Sequence, residues 1–456
     1  MRNKLSTRDL IQLLASENTS KVKLAVTDID GILRGKVMSF DKFSSIIEKG
    51  FGFCDVVFGW DAGDAAYDNA AFTGWHTGYP DATAVADINT FRKIPWENDL
   101  PFFLADFGDA NGDGHAVCPR SLLKRIVKKA EDAGYLSYFS QEFEWFNFVN
   151  NINEPYENKF RDLKPLSHGM FGYSILRASQ NSAFFHDLFD LLTRFGVPIE
   201  GLHTETGPGV YEAAIVYSEL PEAADRAVLF KSGVKEIAFR HNILATFMAK
   251  FNENLPGCSG HVHQSLWSAD GKQNLFHDAK NKTGISSLME SYMAGQLYCL
   301  PHILPMFAPT VNSYKRLVEG AWAPTTLTWG VDNRTTALRV LCGGEKSARL
   351  ETRVVGSDSN PYLAMAGCLA SGLYGIRNNM KLITAATVGS GYADKKNGLL
   401  PRNLWEASQA MKNSRVAKEL FGETFVDHFT GTREWEWRQF AKVVTDWELK
   451  RYLEII

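Results

Sequence analysis

The chain carries short groups of acids, imidazoles and guanidiniums at spacings that suit joint chemistry. Glu142-Phe143-Glu144 lies in the aromatic, strand-like run Tyr138 to Phe146. Residues i and i+2 of a strand face one side, so both carboxylates point together. If that side is buried, two like charges need a cation between them. If it faces solvent, they form an ordinary polar stripe. His261-Val262-His263-Gln264-Ser265 repeats the pattern with imidazoles, after a loop shaped by Gly257 and Gly260. Ligand contact and a hydrogen-bonded core pair both fit it. Glu205 and Glu212 flank Gly207-Pro208-Gly209, a turn that folds its two arms together, although surface-turn acids are common. Arg334, Arg339, Arg349 and Arg353 supply cations, and Glu351 shares a strand face with the last two. Guanidinium forks match carboxylate and phosphate, with surface ion pairing as the plainer use.

The whole set says more than its parts. Glu142, Glu144, Glu205, Glu212 and Glu351, with one or two histidines, suit hard, oxygen-preferring ions such as Mg²⁺ or Mn²⁺ rather than structural zinc. Arginines beside such ions are equipment for neutralising charge in phosphoryl transfer. The sequence has no Walker A loop and no protein-kinase motif set.

The elements that must hold these residues are legible in outline. Residues 22–40 read as strand, Asp30-Gly31 turn and strand. Residues 51–100 read as strands and long loops. A turn at Asp109–His115 precedes Pro119, and a helix follows it, with Leu122, Leu123, Ile126, Val127 and Ala130 on one face. Further helices are expected over 178–195, 222–251, 285–301, 360–378 and 404–420, with strands at 138–148, 210–217, 261–267, 325–340 and 349–355. The fold class is α+β, with a boundary near 113: a small β-rich domain over 1–113 and a larger one over 114–456, its curved, mainly antiparallel sheet backed by helices. Asp109-x-Asn111-x-Asp113-Gly114 opens like a calcium loop, but Arg120 stands where a bidentate Glu is required, so a linking turn is expected.

Composition narrows the classes further. The 456 residues balance 49 Lys+Arg against 52 Asp+Glu, which argues against a nucleic-acid grip through phosphates. No apolar run is long enough to span a membrane, and the first residues lack the apolar core of a secretion signal. The 6 cysteines show no CxxC pair, so a reduced, cytoplasmic chain is expected.

At these residues the sequence resembles the glutamine synthetase family, from Asp28-Ile-Asp-Gly-Ile-Leu-Arg-Gly-Lys to Thr445-Asp-Trp-Glu-Leu-Lys-Arg-Tyr. The motifs are Glu142-x-Glu144, Glu205-x-Gly-Pro-Gly-x-x-Glu212, His261-x-His263-Gln-Ser-Leu, Asn312-Ser-Tyr-Lys-Arg-Leu, Asn333-Arg334 and Arg349-x-Glu351-x-Arg353. The resemblance implies an N-terminal β-grasp domain, a catalytic domain of the glutamine synthetase and guanidino-kinase type, and homo-oligomeric, stacked hexameric rings. Each active site would lie between two subunits. It implies ATP and two or more Mg²⁺ or Mn²⁺ ions per site. By family pattern Glu144, Glu205 and Glu212 hold the metal nearer the amino acid, and Glu142, His261 and Glu351 hold the one bridging the ATP phosphates. Arg334 and Arg353 match positions that stabilise the transferred phosphoryl group, and Arg339 a phosphate contact. Arg316 and the backbone around Gly257 match the glutamate clamp. His263 and Ser265 match nucleotide-side contacts, and Arg349 is placed on the same ATP side.

The departures cluster elsewhere. The family's flap glutamate is replaced in Glu319-Gly-Ala-Trp322-Ala-Pro by Trp322. The segment bearing an ammonium-binding Asp becomes Phe58-Gly-Trp60-Asp61-Ala-Gly-Asp64, where Asp61 or Asp64 takes the role. Pro256 stands where a side-chain amide should meet the amino group of glutamate. Trp405 occupies the place of the regulatory tyrosine found in some bacterial members. The ATP and metal side matches throughout. The expectation is a ligase of nitrogen metabolism that phosphorylates the γ-carboxylate of glutamate and joins it to an organic amine, with Trp60 and Trp322 as apolar walls. Ammonia as acceptor is the nearest alternative, and an inactive structural relative is the alternative of another class.

Overall fold

The computed structural model describes residues 6–108, 114–149 and 153–456. The expected boundary at 113 and most of the calcium-like turn (109–113) lie outside the described residues. The N-terminal part is a mixed sheet of β1 (Lys21–Thr27), β2 (Leu33–Ser39), β3 (Phe51–Cys54), β4 (Asp81–Ala86), β5 (Arg92–Ile94) and β6 (Leu100–Phe107). The spatial order is β2-β1-β6-β4-β3, with β5 also on β6. The expected hairpin is β1–β2, and β1 runs parallel to β6. A helix, Thr7–Ser16, buries Leu10 and Leu14; the side chain of Ser6 caps it by accepting from Asp9 N.

The second sheet has nine strands: β7 (Tyr135–Phe148), β8 (Ile199–Thr204), β9 (Val210–Ile215), β10 (Ser218–Glu219), β11 (Leu244–Thr246), β12 (Gly260–Ser268), β13 (Trp329–Val331), β14 (Leu338–Leu341) and β15 (Arg349–Thr352). Its order is β13-β14-β15-β12-β7-β9-β8, with β10 and β11 paired to β7. Only β13–β14 is parallel. The fold is thus α+β, with a curled, mainly antiparallel sheet. Alternation along β7 sets the two faces: Phe139, Phe143 and Trp145 are buried, while Tyr138, Ser140, Glu142 and Glu144 occupy the more open side. Phe143 stacks on Phe230 of the helix Glu222–Arg240, with centroids 5.6 Å apart. Each buried aromatic contributes roughly 4–6 kcal/mol of gross transfer energy, which fixes the register of the strand.

One face of the first sheet, with Ala25, Phe102 and Leu104, joins the larger core together with Ile29 of the β1–β2 turn, while its other face closes a separate core with the first helix. Charge ties the two parts as well. The fully buried Arg120 bonds Asp106 Oδ1 at 2.8 Å and Asp225 Oδ2 at 2.8 Å, and Arg433 bonds Asp30 Oδ1 at 2.6 Å.

Several expected elements are corrected. The helix expected over 222–251 ends at Arg240, because Asn242 takes φ +56 and turns the chain into β11. The helix expected over 178–195 is two, Ile175–Gln180 and Ser182–Arg194, broken at Asn181. Residues 404–420 also break, where Ser414 caps a second helix through Ala417 N. The strand expected over 325–340 is only β13 and β14, separated by a turn in which Asp332 has φ +48. The long helix Glu423–Ala441 was not expected.

Candidate active site

Strand register builds the site. On the open face, His203 pairs with Glu212 across β8–β9, and Glu212 pairs with Glu144 across β9–β7. Glu142 pairs with His261 across β7–β12, His263 with Glu351 across β12–β15, and Glu351 with Arg339 across β15–β14. Directly opposed residues bring their side chains within contact range. The motifs scattered from 142 to 353 thus form one row of carboxylates and imidazoles, edged by arginines.

The geometry of that row suits divalent cations. Ligand atoms of Glu142, Glu212 and His261 lie within 4.8 Å of one another, as do those of His203, Glu205 and Glu212. Opposed oxygens of an octahedral Mg²⁺ shell are separated by ~4 Å, so the donors surround a space of the right size. His261 is buried, and neither of its ring nitrogens has a hydrogen-bond partner. Yet Glu351 Oε1 lies 3.2 Å and Glu142 Oε1 3.7 Å from its Nδ1. The unbonded His261 nitrogens, set beside two carboxylates, are placed to share a cation with them.

The electrostatics agree. Burial drives the Glu212 carboxyl up to about 12, and the hydrogen bond and charge of Glu142 add to it. Burial opposes ionisation of Glu142 too, but the imidazoles of His261 and His263 hold its carboxyl well below the usual range. Glu351 is depressed to about 2: burial works against this, and His261, His263 and Arg353 outweigh it. His261 falls to about 4 through burial and the Arg353 charge, leaving a neutral ring with a free lone pair. Burial raises Glu144, while its bond from Ser259 N at 2.6 Å resists that rise.

The arginines split into anchored and free. Arg339 Nη1 bonds Glu351 Oε2 at 2.8 Å, and Arg353 pairs with Glu351 Oε1. Arg353 Nε also donates to Arg334 O at 3.0 Å. Arg316 donates to Val354 O and Arg353 O at 3.0 Å each. A Cβ on Gly257 would lie 2.8 Å from Arg316 Cγ, so glycine lets this loop close onto the guanidinium stem. Arg334 is exposed, and among the described residues its guanidinium makes no ion pair or hydrogen bond. Beside the row opens a cavity of about 280 Å³ lined by Glu142, His263, Ser265, Arg349, Tyr138 and Trp267, among others. Arg349 Nε meets His263 Nδ1 at 3.3 Å, and Ser265 Oγ accepts from Trp267 Nε1 at 3.0 Å.

The residues expected on the acceptor side are not in that row. Asp61 Oδ1 accepts from Gly63 N and Ala65 N at 2.9 and 2.8 Å, closing its own loop. Asp64, at φ +64, pairs with Arg34 at 2.7 Å. Asp61 lines a second cavity, of about 710 Å³, with Asp30, Lys231 and Arg433. Trp60 packs at the edge of the N-terminal core, with the Arg34 guanidinium carbon 5.3 Å from its ring centroid. Trp322 is 64% exposed and has φ +57. A bulky side chain rarely adopts that backbone, and here Gly320 at φ +80 shares the turn.

Two features escaped the sequence reading. His203 reaches Glu212 at 3.4 Å and stacks on Tyr173 at 4.5 Å; its i,i+2 spacing to Glu205 was the available signal, but β8 was not expected. The aromatic wall of Tyr138, Tyr217 and Trp267 comes together only through strand pairing.

Comparison with known proteins converges on one family. Residues 116–452 match the model of the glutamine synthetase catalytic domain. The chain is 55% identical to type-1 glutamine synthetase 2 of Dictyostelium discoideum, over 95% of this chain and 84% of that one. It is 35% identical to a glutamate–isopropylamine ligase of a Pseudomonas species, over 99% of this chain and 98% of the relative. It is 34% identical to the gamma-glutamylethanolamide synthetase GlnA4 of Streptomyces coelicolor, over 99% and 96%. A solved GmaS/ADP complex superposes with a TM-score of 0.84 at 26% identity, covering 98% of this chain and 99% of that one. The row of acids on a curled sheet and these full-length matches have one reading: the chain belongs to the glutamine synthetase family of ligases.

Proposed function

We propose that this enzyme activates the γ-carboxylate of glutamate as an acyl phosphate, using ATP, and transfers the acyl group to an organic amine. A carboxylate is a poor acyl donor because oxide would have to leave. Attack of the γ-carboxylate oxygen on the terminal phosphorus of ATP releases ADP and gives an acyl phosphate. The amine lone pair then attacks the carbonyl carbon, phosphate leaves, and the ammonium proton passes to a base.

This family uses ATP and divalent metals generally, and Mg²⁺ or Mn²⁺ bound at the acidic row would supply charge neutralisation for the transferred phosphoryl group. Glu144, Glu205 and Glu212 would hold one ion, and Glu142, His261 and Glu351 the other. Arg334 and Arg353 face the transferring group, Arg339 supports Glu351 and a phosphate, and Arg316 with the Gly257 backbone clamps glutamate. His263, Ser265 and Arg349 line the nucleotide cavity. Asp61 or Asp64 of a neighbouring subunit takes the amine proton, in homo-oligomeric stacked rings of chains divided into domains 1–113 and 114–456.

The observation that carries the amine reading is Trp322, an exposed indole where the family holds an anion. Ammonium capture needs anions to replace its water. An indole instead offers apolar area to a carbon chain, at about 25 cal/mol per Å². The isopropylamine and ethanolamide relatives support the same reading. The second reading, glutamine from ammonia, is favoured by the 55% identical relative that bears the glutamine synthetase name. Phosphate release with ATP, glutamate and a panel of amines, run beside ammonia at equal free-base concentration, decides. Faster release with a primary amine supports the proposal; ammonia outpacing every amine replaces it with the second reading.

A further inference from the structure

Glu144, Glu205 and Glu212, the ligands proposed for one ion, already spend oxygens on the protein. Glu144 Oε2 accepts from Ser259 N at 2.6 Å, and Glu205 Oε1 accepts from Thr206 N at 2.7 Å. A further donor stands beside them outside the motif set. The register opposes His203 to Glu212 across β8–β9, and His203 Nε2 lies 3.4 Å from Glu212 Oε2. Ligand atoms of His203, Glu205 and Glu212 all fall within 4.8 Å of one another.

The ring is held as a ligand ring is held. Its Nδ1 lies 3.1 Å from Thr204 O. A carbonyl oxygen only accepts, so the proton of this contact is on Nδ1, and a neutral ring then carries its lone pair on Nε2. Glu205 Oε2, 3.8 Å from Nδ1, favours the same proton. Thr204 is itself buried and fastened: its carbonyl accepts from Tyr173 N at 2.6 Å, and its hydroxyl donates to Phe171 O at 3.0 Å and accepts from Ser174 N at 2.8 Å. These bonds hold Tyr173 at φ +56, where its ring stacks on His203 with planes 27° apart. The plane, tautomer and position of the imidazole are thus set by groups outside the row. Its bare nitrogen faces a carboxylate oxygen. An imidazolium bonded to Glu212 would close to roughly 2.8 Å, and the observed gap is wider. Metal-binding histidines donate their other ring N–H to a carbonyl or carboxylate, as this one does.

We infer that His203 Nε2 is a further ligand of the ion held by Glu144, Glu205 and Glu212, so that each of the two ions has a nitrogen donor. The inference rests on the proposed two-ion reading of the row and deepens it by a residue that the motifs leave out. A neutral donor adds a bond without adding to the charge of three carboxylates. Imidazole is softer than oxygen, so its presence favours Mn²⁺ over Mg²⁺ at this position.

The test is Mn²⁺ binding to the metal-free, full-length enzyme without ATP or glutamate. Calorimetry reads affinity, and electron spin echo reads imidazole nitrogen coupled to Mn²⁺. His203→Phe keeps a ring beside Tyr173 and removes both nitrogens. It should weaken Mn²⁺ binding at one of two sites about tenfold or more, and Mg²⁺ binding by a smaller factor. His261→Ala takes away the imidazole of the other proposed ion, and Mn²⁺ bound to that variant should still show nitrogen coupling. Combining the two substitutions should abolish the coupling, while His203→Phe alone should retain that of His261. Unchanged Mn²⁺ affinity in His203→Phe, or Mn²⁺ bound to His261→Ala without nitrogen coupling, overturns the inference and leaves the two-ion reading standing. A wild type that binds no Mn²⁺ overturns both.

Discussion

The acidic row and the turns proposed to face the acceptor are built in opposite ways. The row sits on five neighbouring strands, where each side chain is placed by a cross-strand partner, as Glu142 is by His261 and Glu351 by His263. The turns at 58–64 and 319–323 have no such frame: Asp64 and Trp322 take left-handed backbone, and Trp322 is exposed. A strand substitution disturbs several partners at once, whereas a turn exchanges residues at little cost to its neighbours. On the proposed function, phosphoryl transfer rests on the sheet and acceptor choice on the loops.

The sharpest way to break this contrast is to damage the row. Glu144→Ala or Glu351→Ala should lower turnover by about three orders of magnitude or more, on the scale of losing a charge-stabilising group from an active site. Chelator should silence the wild type, and added Mg²⁺ or Mn²⁺ should restore it. Circular dichroism should show the fold retained in both variants. Activity surviving in chelator would overturn the reading of the row.

A smaller effect is expected from the turns. Trp322→Glu should raise the use of ammonia relative to amines by roughly tenfold, by exchanging apolar contact for a cation partner. Asp61→Ala and Asp64→Ala should slow every acceptor alike, measured as kcat/KM across the panel. If Trp322→Glu shifts no ratio, acceptor choice does not lie in that turn.

The smallest effect concerns pH. The folded-state pKa of Glu351 is depressed from 4.5 to about 2, so its stabilising contribution is complete above 4.5 and disappears as pH falls through 2. Metal-free wild type should lose melting temperature across that window more steeply than Glu351→Gln. Parallel slopes would mean that the imidazole and arginine contacts of Glu351 do not stabilise the fold.

Much of the row was legible in the sequence because strand periodicity is local: Glu142 and Glu144, or His261 and His263, share a face whatever they pair with. Which strand lies beside which is a property of the whole sheet, so the link from Glu212 to His203 was invisible. The helix Glu423–Ala441 was missed because its buried face mixes His428, Thr430, Thr432 and Arg433 with aromatics, which blurs its apolar period. Helices were expected to run past Asn242, where a left-handed φ of +56 turns the chain, and past Ser414, which caps a new helix, since neither feature leaves a trace in a count of apolar residues.

The central position of β7 has a consequence for synthesis. Its partners β9, β10, β11 and β12 all lie downstream, the last at Gly260–Ser268. As the chain leaves the ribosome, the aromatic run Tyr138 to Phe148 waits roughly ten seconds for its principal partner at ordinary elongation rates. The edge that awaits β12, flanked by large apolar side chains, stays sticky for most of that interval. Nascent chains stalled between β9 and β12 should therefore be the species most dependent on chaperones, although both edges of β7 are paired in the finished enzyme.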